Sequence, residues 1–209
     1  MKYSKLINQE PYLCVPTCLQ MIFERRGLKV DKTQLDLGFM LNFTIDRETS
    51  MSSYEYYKEK GFEIPEPKDK KNAGCVLIDL NTQIFQPLGL NLTEDYFTTS
   101  SYRGIFSDED LIKRFTKECS KLLKSGDKDV MLAVNYRVLA EENPYTQKMS
   151  AHLMLLEKIE DDVFYYISPE TAKDGGTCRE KASATLMYYA FKSQNRGNVT
   201  YIFEKEGDK

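Results

Sequence analysis

This sequence predicts an α+β fold, and three observations point to it. Helical apolar spacing marks the early part of the chain. Short strand-like apolar runs then crowd together from Val130 to Ile167. The regular alternation of strand and helix that a doubly wound parallel sheet demands is missing.

The first helix begins at or just before Cys14. Leu19, Met21, Ile22 and Phe23 form its apolar group, Glu24-Arg25-Arg26 its polar end, and Gly27 its stop. Pro16 fits only a first turn, where its missing N–H had no helical partner anyway. A second helix starts near Asp31. A third is signalled by Ser107-Asp108-Glu109-Asp110, a capping-box pattern, with Leu111, Phe115, Cys119 and Leu122 at helical spacing. Val130–Val134, Ala151–Ile159 and Val163–Ile167 read as strands, with Glu160-Asp161-Asp162 turning between the last two. Arg179–Lys192 reads as helix and Asn198–Glu204 as a closing strand. Glu63 to Asn72, with two prolines and six charges, reads as a solvated loop. Nothing else suggests a domain boundary, so residues 1–209 are expected to form a single domain.

Composition narrows the function. The 209 residues carry 29 basic and 32 acidic side chains, a net charge of -3. A dedicated nucleic-acid binder needs a surplus of Lys and Arg to displace phosphate counterions, and adsorption to an acidic membrane needs the same. No run approaches the roughly 18 apolar residues of a spanning helix. The residues after Met1 and Lys2 include no apolar run of the signal-peptide kind, so a soluble, cytoplasmic protein is expected. Five scattered cysteines (Cys14, Cys18, Cys75, Cys119, Cys178) make no disulfide framework and no C-x-x-C pair. With one histidine, His152, the clustered ligands of a zinc site are lacking. Neither a metal nor a cofactor is expected.

Three residues could carry chemistry. Cys14 at a helix start sits where orphan N–H groups and the helix dipole favour a thiolate, the reactive form. Most cysteines, however, are small inert core residues. His152 opens an apolar strand and could take the Cys14 proton and return it to a leaving amine; a lone histidine more often serves as a hydrogen-bonded structural group. Gln9, five residues before Cys14, could donate its amide to a developing oxyanion beside the Cys14 main-chain N–H. Among the remaining features, Cys18, one turn beyond Cys14, is expected to face the core. Met131, Met149 and Met154 are read as core filler, and Asp174-Gly175-Gly176 as a turn.

Taken together, Gln9-Glu10-Pro11-Tyr12-Leu13-Cys14-Val15-Pro16-Thr17-Cys18-Leu19 resembles the start of the papain-like peptidases that process double-glycine leaders of bacteriocins. It is most similar to their stand-alone relatives. In that family a Gln, a short spacer and a Cys-Val-Pro-x-Cys-Leu helix recur. The distal half then offers a His opening a strand, a turn, and a second strand ending in Asp-Pro or Asn-Pro. Here His152 opens such a strand and the next ends in Ser168-Pro169. Residues 5–30 and 107–170 carry the resemblance; residues 32–106 do not. It implies a papain-like fold, with N-terminal helices packed on an antiparallel sheet, although a shared fold leaves function open.

The chain departs from the family at Ser168, which stands where the resemblance implies an Asp or Asn. A carboxylate there would orient the imidazole and stabilise its cation; a serine hydroxyl orients without charge. The resemblance therefore implies a cysteine peptidase or amidase acting on a peptide or protein substrate, with Cys14, His152, Gln9 and Ser168 as its site. A transpeptidase would use the same constellation. The alternative is a catalytically degenerate peptide-binding module that kept the groove and lost activity through Ser168. Neither reading fixes an oligomeric state.

Overall fold

Val130–Val134 is apolar at every position for a simple reason: helices cover the sheet on both faces. The structure is a computed structural model describing residues 2–7, 9–69, 73–75, 85–96, 106–124, 126–169, 178–194 and 199–205. Among them, α1 (Cys14–Arg25), α2 (Gln34–Met40) and α3 (Arg47–Glu59) come first. Then follow β1 (Leu90–Tyr96), α4 (Asp108–Lys124), β2 (Asp129–Asn135), α5 (Tyr136–Ala140), β3 (Ala151–Glu160) and β4 (Val163–Ile167). The chain closes with β5 (Arg179–Ser183), α6 (Ala184–Lys192) and β6 (Val199–Lys205). All neighbouring strands are antiparallel, in the order β1-β6-β2-β3-β4-β5. The α+β class is thus observed.

Side-chain alternation along the strands divides the core in two. Met131, Leu155 and Ile167 point to one face, where they meet Leu19, Ile22 and Phe23 of α1 within a cluster that takes in α2 and α3. Val130, Leu132, Val134, Met154, Leu156, Phe164 and Tyr166 point to the other, against Phe115 of α4 and Met187 and Phe191 of α6. β2 is buried at every position because it serves both clusters. Asp161 and Asp162, both with positive φ (48° and 59°), make the tight turn joining β3 to β4.

The C-terminal end of α1 is fastened to the start of β2. Asp129 is fully buried. It accepts from Tyr3 Oη at 2.7 Å, Arg26 Nε at 2.6 Å and Arg25 Nη1 at 3.2 Å. The guanidinium groups reach further: Arg26 donates to the Asp127 and Phe203 carbonyls, at 2.6 and 2.8 Å, and Arg25 to the Gly126 carbonyl. Burial, with Asp129 beside it, pushes the Tyr3 phenol well above its usual range. Gly27, at φ 67°, then ends the helix in the left-handed conformation that a C-terminal glycine supplies.

The structure also corrects four expectations. Arg179–Lys192 is not one helix: Arg179–Ser183 is strand β5, paired edge to edge with β4, and the Ser183 side chain caps α6. Strand pairing overrode local preference there. Met149 is exposed, outside the core, whereas Met131 and Met154 are fully buried. The second helix starts at Gln34, where Thr33 and Asp36 form a reciprocal capping box. The order of helices before sheet is also broken, since β1 precedes α4 and pairs with β6. Asp174-Gly175-Gly176 lies outside the described residues.

Asp129→Ala should therefore cost about 3–5 kcal/mol in urea unfolding, because it leaves Arg26 buried without its counter-charge. A loss below about 1 kcal/mol would show that the anchor contributes little.

Candidate functional site

The anchor at Asp129 fixes where the other end of α1 falls. Twelve helical residues rise about 17 Å. Along β2 the strand covers about the same length from Asp129 to Val134, and Val134 stands opposite His152. The helix that is pinned at one end of the sheet consequently begins near the other. A contact halfway along agrees: Cys18 Sγ lies 3.6 Å from the Leu153 carbonyl, next in sequence to His152.

At this end the central strands stop. β2 finishes at Asn135, β3 begins at Ala151 and β4 finishes at Ile167. By alternation His152 shares its face with Met154 and Leu156, on the side away from α1. Any approach of Cys14 to the imidazole thus runs round the open end of the sheet rather than through it.

His152 is buried and its Nε2 lies 3.1 Å from Ser168 Oγ, itself fully buried. With Nε2 committed to Ser168, Nδ1 is the ring nitrogen that would serve a thiol. The main chain of Ser168 donates to the Cys178 carbonyl at 2.7 Å, which fixes the hydroxyl's position. The ring also packs on Tyr136, with centroids 5.2 Å apart and planes at 59°. The loop before His152 is held by Asn135: its Oδ1 accepts from Ser150 N at 2.9 Å and its Nδ2 donates to the Lys148 carbonyl at 2.9 Å.

The segment before Cys14 is equally constrained. Gln9 N donates to the Pro169 carbonyl at 3.2 Å, laying this segment beside Ser168. Glu10 N donates to Gln34 Oε1 at 2.8 Å, and Thr17 Oγ1 in the first turn of α1 donates to the same oxygen at 2.8 Å. Tyr57, buried in the core, donates to the Pro11 carbonyl at 2.6 Å. Tyr12 adopts φ 64°, a left-handed conformation costly for a bulky side chain, and its hydroxyl is hydrogen-bonded to Ser50 Oγ at the kink in α3. Such strain persists where the surroundings over-determine the backbone. Gly38 allows α2 to come close: a Cβ there would lie 2.9 Å from Leu13 Cδ2.

The start of α1 differs from the other helix starts. Side chains cap the N-termini of α2, α3, α4, α5 and α6 through Thr33, Asp46, Ser107, Asn135 and Ser183. At α1 the N-cap is Leu13, with no side-chain cap and no acidic residue in the first turn. The positive end of its dipole lies at Cys14 and favours a thiolate or an oxyanion there. Gln9 Oε1 is buried with no hydrogen-bond partner, an atypical state for a buried amide.

Cys14 is the partly exposed cysteine; Cys18, Cys75, Cys119 and Cys178 are buried. Burial pushes the Cys18 and Cys75 thiols well up and raises that of Cys178 as well. Among the described residues no group of His, Cys, Asp and Glu is arranged to hold a metal ion, and no helix is long and apolar enough to cross a membrane. The chain matches no protein-family model and no curated protein. Sequence reasoning overlooked Gln34, Tyr57, Asn135 and Tyr136, because nothing in their local pattern signals a contact made far along the chain.

Brief treatment with iodoacetamide near neutral pH should modify Cys14 about tenfold or more faster than Cys18, Cys75 or Cys178, as read by peptide mass mapping. Equal labelling of Cys18 would contradict the burial assigned to it.

Proposed function

We propose that the protein is a cysteine peptidase or amidase of papain-like type, acting on a peptide or protein substrate through Cys14 and His152. The observation that carries this reading is the His152 Nε2–Ser168 Oγ hydrogen bond of 3.1 Å, beside the segment that leads directly into Cys14. Here the chain's only histidine is oriented by a buried hydroxyl at the sheet end where α1, uncapped by any side chain among the described residues, starts.

In this reading His152 Nδ1 takes the proton of the Cys14 thiol. The sulfur attacks the substrate carbonyl, and the negative charge that develops on oxygen is received by the Cys14 N–H and the Gln9 side-chain amide. The imidazolium gives its proton to the departing amine, leaving a thioester. Water, deprotonated by the same imidazole, then releases the acid and frees the thiol. Ser168 holds the ring in the tautomer with Nε2–H directed at its oxygen. It supplies no charge, so the cation is less stabilised than beside a carboxylate.

A peptidyl chloromethyl ketone should alkylate Cys14 much faster than iodoacetamide does, and His152→Ala should abolish that preference. Ser168→Ala should slow the probe about fivefold, in line with about 1 kcal/mol for one neutral hydrogen bond. Ser168→Asp should accelerate it about tenfold by placing a negative charge beside the imidazolium. A wild-type protein whose Cys14 reacts no faster than Cys75 would leave a non-catalytic peptide-binding module as the better account.

A further inference from the structure

A neutral serine stands beside the imidazole at position 168, and the structure places a carboxylate a short distance beyond. Tyr136, the first residue of α5, lays its ring on the His152 imidazole, with centroids 5.2 Å apart. Its hydroxyl donates to Glu180 Oε1 at 3.2 Å, and Tyr166 Oη donates to Glu180 Oε2 at 2.8 Å. Both carboxylate oxygens are thus engaged by phenols, one of which touches the imidazole. The arrangement follows from the sheet: Tyr166 and Glu180 are register partners across β4 and β5, and Tyr136 follows the last residue of β2, at the strand end opposite the start of β3.

We propose that Tyr136 and Glu180 are positioning residues for His152. Tyr136 fixes the plane of the ring, and Glu180, through Tyr136, supplies the negative charge that Ser168 does not. This inference rests on the peptidase reading. The proton moves only between Cys14 Sγ, His152 Nδ1 and the leaving group. A carboxylate one phenol ring away in a partly buried setting favours the imidazolium, and with it the thiolate. Burial, with Glu180 next in importance, pushes the Tyr166 phenol up.

The ionisable groups around this cluster come from several elements. Tyr136 belongs to α5, Tyr166 to β4 and Glu180 to β5, while α1 brings Cys14 to the same end of the sheet. Arg179, adjacent to Glu180, turns to the other face, where it meets Glu157 and the Tyr3 carbonyl, so it does not neutralise Glu180 by direct pairing. Cys178 precedes it, buried.

The test is the pH profile of Cys14 alkylation by a peptidyl chloromethyl ketone. Two conservative variants are used: Glu180→Gln, which keeps an acceptor for the phenols but removes the charge, and Tyr136→Phe, which keeps the ring but cuts the link. Each should slow the probe about fivefold at neutral pH and move the basic midpoint of the profile, where the imidazolium loses its proton, down by about half to one pH unit. A merely structural role would change stability without moving that midpoint. Profiles that superimpose on the wild type, where Cys14 labelling still depends on His152, would overturn this proposal alone. Labelling that is indifferent to His152 in the wild type would overturn the peptidase reading and this proposal with it.

Discussion

Asp129 is the constraint on which the rest of the structure depends. Fully buried, it requires its positive partners, and both come from consecutive positions at the end of α1. Two guanidinium groups on one carboxylate fix both the position and the direction of that helix relative to β2. The cost of burying these charges is offset by bonds to Tyr3 and to the carbonyls of Gly126, Asp127 and Phe203. Because helix and strand are rigid rods of matching length, an ion cluster at one end of the sheet sets what lies at the other. Cys14 and His152 sit at that other end.

The site end is built differently. Charges are sparse there and neutral hydrogen bonds do the positioning. Gln34 joins the segment before Cys14 to the first turn of α1, Asn135 secures the loop before His152, and Ser168 orients the ring. Each is a neutral side chain bonded to the main chain or to another side chain, which orients its partner without charge. Glu180 is different: it is held by two tyrosines on the face that the imidazole shares.

What the sequence revealed depended on how local the signal was. The α1 boundaries followed from Pro16 and Gly27, and α4 from the Ser107 box, because caps and stops act within one turn. The β2, β3 and β4 runs were legible because buried strands must be apolar. β5 was not: Arg179-Glu180-Lys181 has no apolar alternation, and pairing with β4 alone makes it a strand. α3 was missed since its mean hydropathy is low and only Ser50, Tyr54 and Tyr57 are buried. In the site, Cys14, His152, Gln9 and Ser168 could be named from a resemblance. The Ser168 contact to His152 and the Gln9 contact to Pro169 are what the structure adds. Tyr136 and Glu180 lie 44 residues apart, joined only through the register of the sheet, and no linear pattern announces them.

The account's central claim is that Cys14 and His152 share a proton at the open end of the sheet. His152 is the only histidine in the chain, so its ring C–H resonances are identified without assignment work. Their chemical shifts should be followed against pH in the wild type and in Cys14→Ser. A thiolate beside the imidazole favours its cation, so the titration midpoint should lie higher in the wild type and fall by about one pH unit or more once the sulfur is replaced. Coincident titration curves for the two proteins would contradict the claim, since they would show that the cysteine and the histidine do not sense one another.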